Sequence, residues 1–88
     1  MKNIENYRKK IDEIDFRIIE LLAQRMKIVE EIGGWKRENK ISFFDQERYA
    51  KMIECRVAFA QELGLDEDFV KNIFQIIHKA SLECEKKK

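Results

Sequence analysis

The apolar residues of this chain recur with a helical period from one end to the other. Over the first third, Ile4, Tyr7, Ile11, Ile14, Ile18, Leu21, Ile28, Ile32 and Trp35 follow one another at steps of three and four, with one gap. That is the period of a helix packed lengthwise against another helix. It predicts a first helix from about Ile4 to about Lys36, with Asn3 as its N-cap. Gly33-Gly34 weakens the pattern without ending it and predicts a bend there.

Arg37–Phe44, polar and then apolar, is read as a connecting loop, with Ser42 or Asp45 capping the next helix. A second helix, about Asp45 to Leu63, would bury Tyr49, Met52, Ile53, Val57 and Ala60 and stop at Gly64. Asp66 would cap a third, with Leu65 and Val70 placed as a hydrophobic staple. Its apolar positions are Phe69, Val70, Ile73, Phe74, Ile76, Ile77 and Ala80, and it would run to about Glu85. No strand pattern or repeat competes, so residues 1–88 are expected to form a single all-α, three-helix domain.

Length decides the expected assembly. A helix of about 33 residues is roughly 50 Å long at 1.5 Å per residue. A compact globule of this size has a radius of gyration of about 12 Å. The first helix must therefore project from a monomer and leave its stripe in water. A homodimer with paired long helices resolves that.

Composition narrows the chemistry. The chain has no proline, three glycines, 40% charged residues and a net charge of +1. Such a balance gives no basic excess for a nucleic acid, and no apolar run is long enough for a signal peptide or a membrane span. Lys86-Lys87-Lys88 is expected to be a solvated end. Cys55 and Cys84 are isolated and His78 is the single histidine, so no metal site is expected, and a reduced, cytoplasmic setting fits.

Arg25 interrupts the series 18, 21, 25, 28, 32 at a position where its neighbours are apolar. Such an arginine is either half of a structural ion pair or a waiting partner for an anion. Lys36 stands eleven residues further on, which returns to within about 20° of the same face, roughly 16 Å away. A small anion held from both ends fits between them. Arg8 lies on the neighbouring edge, alongside Ile11 and Asp15, and in a dimer it can enter the other copy's site.

On the third helix, Ser81 and Glu85 extend the stripe of Val70, Phe74 and Ile77, either as a helix end emerging into water or as part of a site. Glu47 is either an ordinary first-turn acid or a ligand group. Trp35, His78 and the methionines are read as packing residues. With no nucleophile beside a histidine, no metal cluster and no phosphate loop, the chemistry left is orientation and electrostatic complementarity.

The run Arg8-Lys9-Lys10-Ile11-Asp12-Glu13-Ile14-Asp15 and then Leu21-Leu22-Ala23-Gln24-Arg25 resembles the opening helix of the all-helical (AroQ-class) chorismate mutases. Gly33 through Lys36, Glu47-Arg48, Gly64-Leu65-Asp66 and Phe74-Gln75-Ile76-Ile77 continue the likeness over nearly the whole chain. The resemblance implies an intertwined homodimer and the Claisen rearrangement of chorismate to prephenate without a cofactor, in the shikimate pathway of aromatic amino acid biosynthesis. It implies that Arg25 and Arg8 of the other copy grip the two carboxylates. Lys36 would bind a carboxylate and the ether oxygen, Glu47 the ring hydroxyl and Ser81 a carboxylate, with residue 85 facing the ether oxygen from the opposite side.

Three positions depart from the family's usual pattern: Phe43 replaces an aspartate, Gln46 an arginine and Glu85 a glutamine. Some members fused to a shikimate-pathway enzyme share the apolar variant, so the chain is compatible with a domain of a longer protein. Only a protonated Glu85 can donate to the ether oxygen, which predicts activity rising toward acidic pH. Two alternatives stand beside the mutase: an isochorismate-pyruvate lyase of the same fold, and a non-catalytic helical module.

Overall fold

The computed structural model describes residues 3–86, so the expectations placed on Met1, Lys2, Lys87 and Lys88 lie outside the described residues. The fold is all-α: α1 (Ile4–Glu38), α2 (Gln46–Glu62) and α3 (Glu67–Lys86). Among the described residues, no helix is long and apolar enough to cross a membrane.

Local signals set each helix end. The Asn3 side chain accepts from the Glu5 amide at 2.8 Å and the Asp66 side chain from the Phe69 amide at 3.0 Å. Asp45, not Ser42, caps α2 by accepting from the Arg48 amide at 3.1 Å. Ser42 instead closes the loop on the Phe44 amide and carbonyl. After α2, Gly64 takes φ +80°, and the Gly64 and Leu65 amides donate back to the Gln61 and Ala60 carbonyls. The left-handed position this motif needs suits glycine. The end of α1 is built the same way, with Lys40 at φ 55° and the Ile41 amide on the Lys36 carbonyl at 2.9 Å.

Helix α1 runs two residues further than expected, to Glu38, and passes through Gly33-Gly34 as one helix of 35 residues, as its expected span required. The glycines are not a break; Gly33 is buried, and a β-carbon there would lie 2.7 Å from both the Cα and the carbonyl oxygen of Glu85. Glycine lets α1 and α3 touch backbone to backbone at that point.

Helix α3 lies between the others, packing on α1 and on α2. Val29, Val57, Ala60 and Val70 form a small buried core. The face α1 turns to α3 carries Val29 and Gly33, whereas its long apolar stripe faces elsewhere. Every residue of α1 up to Gln24 is exposed, Ile14 and Phe16 to 60% and 65%. The radius of gyration is 16.5 Å and the molecule extends 60 Å along its long axis, the projecting shape that the helix length demanded.

Candidate active site

The second half of α1, the loop after it, the start of α2 and the end of α3 enclose a cavity of about 270 Å³. Arg25 and Lys36 both line it, so the α1 face inferred from their spacing is real. Ser81 and Glu85 line the opposite side and are 5% and 8% exposed. The end of α3 therefore does not emerge into water; its last turns are the buried wall of a site.

Arg25 is half-buried, and its Nη1 donates to Ser81 Oγ at 2.5 Å. That hydroxyl in turn donates to the Ile77 carbonyl at 2.8 Å, so α3 fixes the guanidinium through a neutral group. No carboxylate among the described residues reaches ion-pair distance of Arg25, so the structural ion pair is not what is found. Burial lowers the pKa of Arg25 most, the nearby Arg56 lowers it further, and only the field of Glu85 opposes them. Both causes state that positive charge here is under-compensated.

Lys36 Nζ sits 2.7 Å from Glu85 Oε1, as an ion pair without hydrogen-bond alignment, and donates to the Phe43 carbonyl at 3.0 Å. The two side chains are 20% and 10% exposed. An ammonium has three donors, so Lys36 keeps capacity for a ligand. Arg37, assigned to the loop by its sequence, lies instead in the last turn of α1, where Nη1 donates to the Glu85 carbonyl. With the Gly33 contact, this pins the backbone of Glu85 against α1.

Other expected residues are not gathered. Glu47 is on the exposed flank of α2, 3.7 Å from Lys51, and lines a separate surface depression rather than the cavity. Gln46 turns to a depression on another side of α2. Arg48, which the sequence did not single out, lines the cavity with Asp45 and Phe43. One residue along a helix is a rotation of about 100°, and the point where the loop enters α2 chooses Arg48 over Glu47. Arg8 is exposed and pairs with Glu5 of its own chain at 3.2 Å. It lies 17 residues before Arg25, about 25 Å along the helix, beyond reach of its own cavity.

A three-helix protomer that points Arg25, Lys36 and Arg48 at a small chamber, whose two serine hydroxyls are already engaged, has the make-up to hold a compact anion by charge and orientation rather than attack it. Comparison with known proteins makes this specific: the chain belongs to the family described as chorismate mutase type II, which it matches over residues 7–86. It is 31% identical to a chorismate mutase of Methanocaldococcus jannaschii, over 94% of this chain and 86% of that one. It is 37% identical to an isochorismate pyruvate lyase of Pseudomonas aeruginosa, over 85% of this chain and 74% of that one. Against a bifunctional chorismate mutase/prephenate dehydratase of Buchnera aphidicola the identity is 32% over 92% of this chain, which spans about a fifth (21%) of that relative's length.

Proposed function

We propose that this chain catalyses the rearrangement of chorismate to prephenate. The observation that carries the reading is Arg25, a half-buried guanidinium held by a hydroxyl and facing a cavity it shares with Lys36. A cation in that state is stabilised by an incoming carboxylate.

In the reaction one C–O bond breaks as one C–C bond forms in a six-membered array, and no proton or electron pair leaves the substrate. The chain has to bind the reactive conformer and stabilise negative charge growing on the ether oxygen. Lys36 supplies a cationic donor to that oxygen once substrate displaces Glu85 from Nζ. Glu85, opposite, donates to it when protonated. Arg25 grips one carboxylate, and Ser81 holds Arg25 in place.

The second carboxylate calls for another cation. Arg25, Lys36 and Arg48 face Asp45 and Glu85 in the cavity, a net of one positive charge with Glu85 ionised and of two with it protonated. Arg8 of a second copy would supply a direct grip on that carboxylate, the role that the family resemblance implies for it. The apolar stripe of α1 supports that pairing, as does the surface. One chain exposes 7665 Å², roughly 2,000 Å² more than a compact monomer of its mass. That excess is the scale of an obligate interface. A cytoplasmic setting, supported by the free thiols of Cys55 and Cys84, and joining to a further shikimate-pathway enzyme belong to the same proposal.

The lyase reading retains one supporting observation: apolar Phe43 lines the cavity where the family usually has an aspartate, and Gln46 and Glu47 turn away from it. Incubation with chorismate and, separately, with isochorismate decides. Prephenate from the first supports the mutase. Salicylate with pyruvate from the second, and no prephenate from the first, overturns it.

A further inference from the structure

His78 is the single histidine of the chain and lines the same cavity as Arg25, Lys36 and Glu85. Its ring is clamped by aromatic neighbours, with its centroid 4.1 Å from that of Tyr49 and 5.3 Å from that of Phe44. Packing accounts for the ring but not for its nitrogen. Nε2 is shut away from solvent with no hydrogen-bond partner among the described residues. A buried polar atom left unmatched costs stability, and a ligand group can meet it only once the side chains over it turn aside on binding.

The groups around His78 indicate what would match it. Burial lowers its pKa most, and Arg25 and Lys36 lower it further while Glu85 opposes. The ring is therefore neutral beside two cations. A neutral imidazole is a poor third clamp for a carboxylate but a good partner for a hydroxyl, which can donate to one tautomer and accept from the other. Ser42 and Ser81 also line the cavity, yet their hydroxyls are already engaged with Phe44, Ile77 and Arg25. Glu47 and Gln46 face elsewhere.

We propose that His78 Nε2 is the group that recognises the ring hydroxyl of the substrate, taking over a contact that Glu47 cannot make from its outward position. The inference rests on the chorismate reading of the site and deepens it. It makes His78 a specificity residue: its contribution is confined to substrates that carry the hydroxyl.

Two measurements test this. With a single histidine, nitrogen NMR of the labelled protein reports only this imidazole, and prephenate, which retains the hydroxyl, is the probe. Addition of prephenate is expected to shift Nε2 while the ring stays neutral. In kinetics, His78→Phe is expected to lower kcat/KM on chorismate about tenfold. It should cause no loss on the analogue lacking the ring hydroxyl, and His78→Gln should recover part of the effect. Four results overturn the inference: an Nε2 resonance that does not move, an imidazolium formed on binding, equal losses on both substrates, or the selective loss appearing in Tyr49→Phe instead. A wild-type chain that makes no prephenate sinks the mutase reading alone, because the imidazole response is read without turnover.

Discussion

At the scale of single residues, Arg25 is a half-buried cation whose direct partner is the hydroxyl of Ser81 rather than a carboxylate. Replacing Arg25 by alanine therefore breaks no ion pair within the protomer. The fold should survive with a small change in Tm, while kcat/KM on chorismate falls by about 10²–10³, the usual cost of losing one charge-assisted contact in a closed site. A large fall in Tm with turnover retained would return Arg25 to a structural role.

Glu85 makes the opposite kind of prediction. As a donor to the ether oxygen it acts only when protonated, so wild-type turnover should rise as pH falls and Glu85→Gln should flatten the profile. A flat wild-type profile that Glu85→Gln leaves unchanged would contradict that role. His78 adds a stability test. Its pKa is lowered in the folded chain by burial first, so between that value and the unfolded value of about 6.5 the unfolded chain binds more protons. This contribution is whole above the unfolded value and is lost as pH falls through the window. Chemical denaturation of wild type and His78→Phe across that range should show the steeper acid loss in wild type. Parallel curves would argue against a depressed imidazole.

At the scale of helices, the paired glycines of α1 separate two effects that sequence alone merges. Gly33 faces the Glu85 backbone, so Gly33→Ala must push α3 away, lowering Tm and activity together. A β-carbon at Gly34 meets nothing nearer than the Arg37 Nη2 atom at 3.9 Å within the protomer. Gly34→Ala should therefore show the ordinary gain in helix propensity, about 1 kcal/mol, and thermal melts of the two variants check the contrast.

What could be read in advance follows the same division. Asn3, Asp66 and Gly64 act within a few residues of themselves, and their caps and stops were legible. So was the Arg25–Lys36 face, because both lie on one rigid helix. The function of Gly33, the reach of Arg37 to the Glu85 carbonyl and the burial of Ser81 and Glu85 depend on where α3 lies against α1, which periodicity does not encode. The choice of Arg48 over Glu47 depends on how the loop enters α2, a matter of a single step. The unmatched nitrogen of His78 appears only once Tyr49 and Phe44 close around the ring.

At the scale of the whole molecule, the proposed assembly answers two features of the protomer. Its longest helix leaves the apolar stripe of its first half exposed, and Arg8 on that half stands about 25 Å along the helix from Arg25, beyond its own cavity. In the proposed dimer, a second copy placed along α1 buries the stripe and brings its Arg8 to the site. The stability of such an assembly depends on protein concentration, and Tm should rise as the chain is concentrated.

A mixing experiment tests the shared site most directly. Arg8→Ala and Arg25→Ala chains are each expected to be nearly inactive, because every site in either homodimer lacks one grip. When the two are unfolded together and refolded at equal amounts, about half the dimers are mixed, and each mixed dimer has one site with both arginines intact, so the preparation should recover about a quarter of wild-type activity. A mixture as inactive as its two components would show that Arg8 and Arg25 of different copies do not meet around one substrate.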